Sequence, residues 1–262
     1  MATFTWSGPY GFQPEYFNFS NLVLADRYEH SSTTFKAVYG ALGRSWDKFD
    51  GYGFTYTADG IPTGGIVTSY SGVDAGRKVA TLTGAKISVV SLVDAASTYS
   101  TEDDLRVLKS VLSGKDVITG GRHNDTLNGF NGNDTITGGG GADTLTGGKG
   151  ADRFMYKSLS DSRGFNFDTI TDFSRSQGDK IDLSKIDAKA GIGGNQAFKF
   201  IGTAEFSGHK GELRYFVGEF EDDYGNVHTQ AHVQADVNGD GRADFELALN
   251  NISTITKSYF IL

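Results

Sequence analysis

Between residues 111 and 155 an aspartate and a large apolar residue return every nine positions. Split at that period, the chain reads VLSGKDVIT, GGRHNDTLN, GFNGNDTIT, GGGGADTLT, GGKGADRFM. The sixth place holds Asp116, Asp125, Asp134, Asp143 and Asp152, and the eighth holds Ile118, Leu127, Ile136, Leu145 and Phe154. A fixed period of this kind predicts a stack of small units that cannot fold singly. Each unit reads as six turn residues followed by three strand residues. The glycines permit φ > 0 and close backbone approach. The eighth residue points inward and its two neighbours point outward, as the period of a strand requires. Two units on opposite sides then make a coil of 18 residues, and stacked coils form a thin parallel core.

Such a core is too poor to stand alone. One buried Ile, Leu or Phe per unit contributes roughly 1.5–3 kcal/mol, whereas ordering each residue costs about 1–2 kcal/mol of backbone entropy. Stacked aspartates also repel one another, so a cation is expected between the turns. The available donors are carboxylates and bare carbonyls. There is no cysteine and no His pattern for zinc, magnesium would keep its waters, and calcium accepts six to eight such oxygens in flexible geometry. Composition agrees: the chain has 24 Asp but 8 Glu, and no Glu between Glu102 and Glu205, an interval with 13 Asp. Its 36 Gly in 262 residues are about twice ordinary usage. A flexible Gly-rich linker would not keep Asp and an aliphatic residue in phase.

These repeats resemble the RTX nonapeptide G-G-x-G-x-D-x-U-x, a calcium-binding β-helix signature. The resemblance implies a right-handed parallel β-roll holding several Ca2+ ions, each between one turn and the turn 18 residues on. It implies that one turn gives the carbonyls of its second and fourth places plus its Asp, and the other those of its first and third places plus its Asp. Carried over, one site uses Gly121, His123 and Asp125 with Gly138, Gly140 and Asp143. A second uses Phe130, Gly132 and Asp134 with Gly147, Lys149 and Asp152. A third uses Gly114 and Asp116 with Gly129, Asn131 and Asp134. His123 and Phe130 stand where the pattern has glycine, and the first unit has lost both leading glycines.

The region from ADRFMY (151–156) through FDTITDF and GDKIDLS to SYFIL resembles the C-terminal module of serralysin-type secreted metalloproteases, a resemblance that covers roughly residues 110–262. That resemblance implies a β-sandwich-like cap after the repeats, with Asp168 and Asp172 as further calcium ligands or as ordinary polar strand residues. DVNGDGRAD resembles the first half of an EF-hand loop, with Asp236, Asn238, Asp240 and Asp244 in ligand places. The twelfth place, a bidentate Glu in that motif, is Leu247, so a calcium loop of another type and a plain β-turn both remain open. The resemblance also implies type I export by a machinery that reads an uncleaved C-terminal signal, and hence a secreted, extracellular protein. The N-terminus lacks the pattern of a cleaved signal peptide, which agrees.

Residues 101–113 carry the clearest helical stripe (Leu105, Leu108, Val111, Leu112), with Thr101 as candidate cap and three acidic residues at its positive end. Residues 1–100 are rich in aromatic and β-branched residues, with a strand pair over 54–72 and a strand candidate over 85–95. The expected fold is mainly β: an N-terminal β domain (1–100), a short linking helix (101–113), a parallel β-roll (114–156) and a C-terminal β cap (157–262). No run of 18 apolar residues exists for a membrane span, and the net charge of −8 gives no footprint for nucleic acid. Neither H-E-x-x-H nor G-x-S-x-G occurs, so the metalloprotease and lipase signatures are missing. His228 and His232, four apart, read as strand residues. The leading expectation is a secreted, non-catalytic calcium-binding protein whose N-terminal domain binds an extracellular glycan or surface component. Trp6, Tyr10, Trp46 and Tyr52 are candidates for that face, with core packing as their alternative. An extracellular polysaccharide-acting enzyme with its site in residues 1–100, and a calcium-stabilised structural protein, are the other readings.

Overall fold

The period of nine decides how the strands are dealt out. The structure, a computed structural model, describes residues 1–221 and 226–262. Short strands follow each turn: β7 (Val117–Thr119), β8 (Thr126–Asn128), β9 (Thr135–Thr137), β10 (Thr144–Thr146), β11 (Arg153–Met155), β12 (Asp168–Ile170) and β13 (Lys180–Asp182). They are preceded by β1 (Thr3–Trp6), β2 (Arg27–His30), β3 (Thr34–Tyr39), β4 (Ser45–Tyr56), β5 (Pro62–Asp74), β6 (Arg77–Ser88), α1 (Val89–Ala96) and α2 (Thr101–Val111). They are followed by β14 (Lys199–Gly202), β15 (Glu212–Glu221), β16 (Val227–Asp236), β17 (Phe245–Asn250) and β18 (Phe260–Ile261).

Successive repeat strands fall alternately into two sheets. The first runs β18-β13-β11-β9-β7-β1-β6-β5-β4-β3-β2 and the second β14-β15-β16-β17-β12-β10-β8. Within the repeats every pairing is parallel, with residues 18 apart in register, as in Ile118 beside Ile136 and Leu127 beside Leu145. The eighth-place residues therefore stack in two columns. One is Phe4, Ile118, Ile136, Phe154, Ile181 and Phe260; the other is Leu127, Leu145, Ile170 and Leu249. All are buried. The parallel β-roll is thus present, and the C-terminal strands that follow it extend its two sheets rather than standing apart. The last residues take part: β18 pairs with β13, and Tyr259 and Phe260 are buried.

The N-terminal strands continue the first sheet. β1 lies between β6, antiparallel, and β7, parallel, so the aromatic-rich sheet β1-β6-β5-β4-β3-β2 grows directly out of the roll. The expected strand over 85–95 is only half strand. β6 ends at Ser88 and α1 begins, because Val89, Leu92 and Ala95 to Ala96 recur at helical spacing and bury one face. Two helices, not one, therefore link the parts. The second is capped by Ser100, whose hydroxyl accepts the Glu102 N–H, and Thr101 lies inside it.

The four aromatic residues considered for a sugar face do not form one strip. Trp6 sits in a cross-sheet row with Ala80, Gly72 and Asp47, packs on Phe12 with ring centroids 5.4 Å apart, and donates Nε1–H to the Tyr10 carbonyl. Trp46, adjacent to Asp47 on β4, therefore points to the opposite face, where Lys36 lies over its ring. Among the described residues His228 and His232 lie on β16, as expected; residues 222–225 of the stretch around them lie outside the described residues.

Candidate metal centre

From the third repeat on, each sixth-place aspartate reaches back to the backbone of the coil before it. Asp116 N–H donates to Asp134 Oδ1 (2.7 Å), Asp125 N–H to Asp143 Oδ1 (2.8 Å) and Asp134 N–H to Asp152 Oδ1 (2.9 Å). The pattern runs on past the repeats: Asp143 N–H donates to Asp168 Oδ1 (3.0 Å) and Asp152 N–H to Asp179 Oδ1 (2.9 Å). Two columns result, 116-134-152-179 and 125-143-168. All seven side chains are buried.

One oxygen of each carboxylate is thereby satisfied. The second is filled in Asp116, Asp125 and Asp179, but Oδ2 of Asp134, Asp143, Asp152 and Asp168 is buried without a hydrogen-bond partner. A buried acceptor left unmade costs about 1–3 kcal/mol, and more when charged. Burial accordingly pushes the Asp134 and Asp143 carboxyls up to about 7, Asp152 up to about 6 and Asp168 up to about 8, with neighbouring aspartates adding to the rise. A divalent cation at these oxygens removes both penalties.

The glycines shape the space around them. A Cβ on Gly129 would lie 2.6 Å from Asp134 Oδ2 and 2.6 Å from the Gly147 carbonyl oxygen; one on Gly120 would lie closer still to Asp125 Oδ2 and the Gly138 carbonyl oxygen. Bare Cα positions therefore let a carboxylate of one turn and a first-place carbonyl of the turn 18 residues on converge. Fourth-place Gly132, Gly141 and Gly150 have φ of 139°, 122° and 134°, reachable by glycine and rarely by other residues. Phe130, in a glycine's place, is held at φ 64°.

The three ligand sets drawn from the repeat pattern differ in what the structure gives them. In the set joining Phe130, Gly132 and Asp134 to Gly147, Lys149 and Asp152, both aspartates keep an unpartnered Oδ2. In the set joining Gly121, His123 and Asp125 to Gly138, Gly140 and Asp143, only Asp143 does. Asp125 Oδ1 accepts the Phe12 N–H and Oδ2 the Gly121 N–H, both at 2.5 Å. In the set of Gly114, Asp116, Gly129, Asn131 and Asp134, Asp116 is likewise filled, by the N–H groups of Ala2 and Gly114. Of the two later candidates, Asp168 continues a column, whereas Asp172 accepts the N–H groups of Gly147 (2.9 Å) and Gly148 (2.8 Å). Asp179 was not anticipated. Its signal is the surviving phase Asp-x-apolar, as in Asp179-Lys180-Ile181 and Asp168-Thr169-Ile170.

The loop between β16 and β17 gathers Asp236, Asn238, Asp240 and Asp244. Asp236 accepts the N–H groups of Gly239 (2.6 Å) and Gly241 (2.9 Å). Asp244 accepts the Val237 N–H (2.9 Å) and the Asn238 Nδ2–H (3.1 Å), and Asp240 accepts the Arg242 N–H (2.9 Å). Among the described residues no three His, Asp or Glu side chains form a metal-holding group. The columns instead offer carboxylate pairs surrounded by main-chain carbonyls, a set suited to a hard cation with many oxygen ligands.

No curated protein matches the chain. Among solved structures, the AlgE6R3 subunit of the Azotobacter vinelandii mannuronan C5-epimerase is 28% identical, with 56% of this chain and 73% of that chain covered at a TM-score of 0.38. The AlgE6R2 subunit of the same enzyme is 26% identical, covering 56% and 81% at a TM-score of 0.35. Residues 112–262, more than half the chain and the whole of the aspartate columns, match the peptidase M10 serralysin C-terminal family, and the chain belongs to that family.

Proposed function

We propose that this chain is a secreted, non-catalytic calcium-binding protein whose repeat region folds when it meets calcium outside the cell. The observation that carries this reading is the set of buried, unpartnered carboxylate oxygens on Asp134, Asp143 and Asp152. The residues that would hold the best-supported ion are the carbonyls of Phe130, Gly132, Gly147 and Lys149 with the carboxylates of Asp134 and Asp152. A second ion between Gly121, His123, Asp125 and Gly138, Gly140, Asp143 requires Asp125 to release the Gly121 N–H. The loop of Asp236, Asn238, Asp240 and Asp244 is a further candidate. Bound calcium would neutralise the columns and stabilise the folded state by mass action.

Low cytosolic calcium would leave the columns unneutralised and the chain unfolded for export by type I machinery. The burial of Tyr259 and Phe260 against the roll supports an exporter that reads the C-terminal segment before folding. Residues 1–100 would act as a binding domain, 101–113 as the link, 114–156 as the calcium roll and 157–262 as its cap. Calorimetric calcium titration tests the ligand assignment. The double variant Asp134→Asn, Asp152→Asn should lose at least one ion per chain, and unchanged stoichiometry would refute the assignment.

A further inference from the structure

The N-terminal sheet carries a feature that calcium binding does not use. Between one of its faces and α1 lies a cavity of about 310 Å³. Phe35, Phe49 and Phe54 form its wall on the sheet side, and Leu92 and Ala96 form it on the helix side; all five are buried. Protein interiors are close-packed, and walls left facing a void forfeit dispersion contacts. The volume sits at the lower end of the range for small-molecule sites, roughly 300–1,000 Å³.

The mouth of the cavity has its own chemistry. The hairpin turn between β4 and β5 lies over it, held by Thr57 N–H to the Ile61 carbonyl (2.9 Å) and Gly60 N–H to the Thr57 carbonyl (3.1 Å). Ile61 on this turn and Val23 on the short 3-10 helix Ser20–Leu24 both line the cavity, yet they are 50% and 51% exposed. Apolar side chains left in water at the rim of an apolar cavity mark an entrance. Asp59 is the charged residue among the lining, which contains no Lys, Arg or His. A carboxylate there accepts hydrogen bonds and repels an anionic head group.

We infer that this cavity is a binding site for a small amphiphile with an apolar body and an uncharged or cationic hydrogen-bond donor at its head. The apolar body fills the space between the phenylalanines and α1, and the donor, a hydroxyl or an amine, meets Asp59. Free fatty acids are disfavoured by the same carboxylate. This assignment deepens the binding role proposed for residues 1–100 and names its ligand class.

The test is fluorescence titration of the full-length, calcium-loaded protein with N-phenyl-1-naphthylamine. Saturable one-to-one enhancement is expected, with displacement by decanol and not by decanoate at equal concentration. Val93→Trp and Ala96→Trp fill the cavity from α1 and should weaken dye binding at least about tenfold. Asp59→Lys, on the exposed turn, leaves the interior untouched and should reverse the preference toward decanoate. Circular dichroism of each variant with and without calcium keeps failure of the cavity separate from failure of the calcium reading. Non-saturable dye binding, or binding in both tryptophan variants as tight as in the unmodified protein, would overturn the site. Equal competition by decanol and decanoate in the unmodified protein, or a preference unmoved by Asp59→Lys, would overturn the head-group assignment.

Discussion

An aspartate in these columns does two things with two oxygens. One holds the backbone of the coil before it, and in Asp134, Asp143 and Asp152 the other is buried without a partner. Asp143 shows both, with Oδ1 on the Asp125 N–H and Oδ2 unpartnered. Asp187 shows neither; its Oδ1 only accepts the N–H groups of Lys189 and Gln196 in a local turn. Asp143→Ala should therefore lower calcium affinity clearly more than Asp187→Ala, read by calorimetric titration. Equal affinities would contradict the assignment. The glycines give an independent check. Gly129→Ala forces a Cβ against Asp134 Oδ2, whereas a Cβ at Gly114 meets nothing within 4 Å. Chemical denaturation in calcium should show a large loss for Gly129→Ala, above about 2 kcal/mol, and a change within about 0.5 kcal/mol for Gly114→Ala. The sixth-place aspartates were legible in the sequence because their phase is strict. Asp179 was not, because the step within its column lengthens to 27 residues at the rung below Asp152.

At the scale of elements, the roll needs an end. Every coil accepts amides from the one before it, and the first has no predecessor. β1 supplies one. Ala2 N–H donates to Asp116 and Phe12 N–H to Asp125, the Phe12 carbonyl accepts the Thr126 N–H (2.6 Å), and Phe4 lies over Ile118 at the head of the apolar column. Nothing in the sequence announces this, since the partners are 113 and 114 residues apart and local pattern says only that β1 is aromatic. The helix α1 was hidden for another reason: its valines favour strand, and only the spacing of its buried residues reveals the helix. Phe4→Ala removes the cap of a fully packed column and should cost about 3–5 kcal/mol. The same truncation at the exposed Phe165 should leave the denaturation midpoint unchanged, so a comparable loss at both would refute the capping role.

For the whole molecule, the raised carboxyls tie stability to pH. Without calcium, the folded roll holds protons on Asp134, Asp143, Asp152 and Asp168 up to about 6 to 8, whereas the unfolded chain releases them near the ordinary carboxylate value of about 4. The folded state therefore binds more protons across that window, and its stability is largest below it and falls as pH rises through it. Calcium requires deprotonated carboxylates, so its affinity rises over the same window. Thermal melts in chelator should thus give a higher midpoint at pH 5.5 than at pH 8, and saturating calcium should reverse that order. Midpoints that climb with pH in chelator would contradict the burial of protonated aspartates.

The demand of the columns for calcium is tested most directly by far-ultraviolet circular dichroism of the full chain near neutral pH, first in chelator and then through a calcium titration. The account predicts missing strand signal in chelator that is restored cooperatively as calcium is added. Full strand content in chelator, unchanged by calcium, would contradict it.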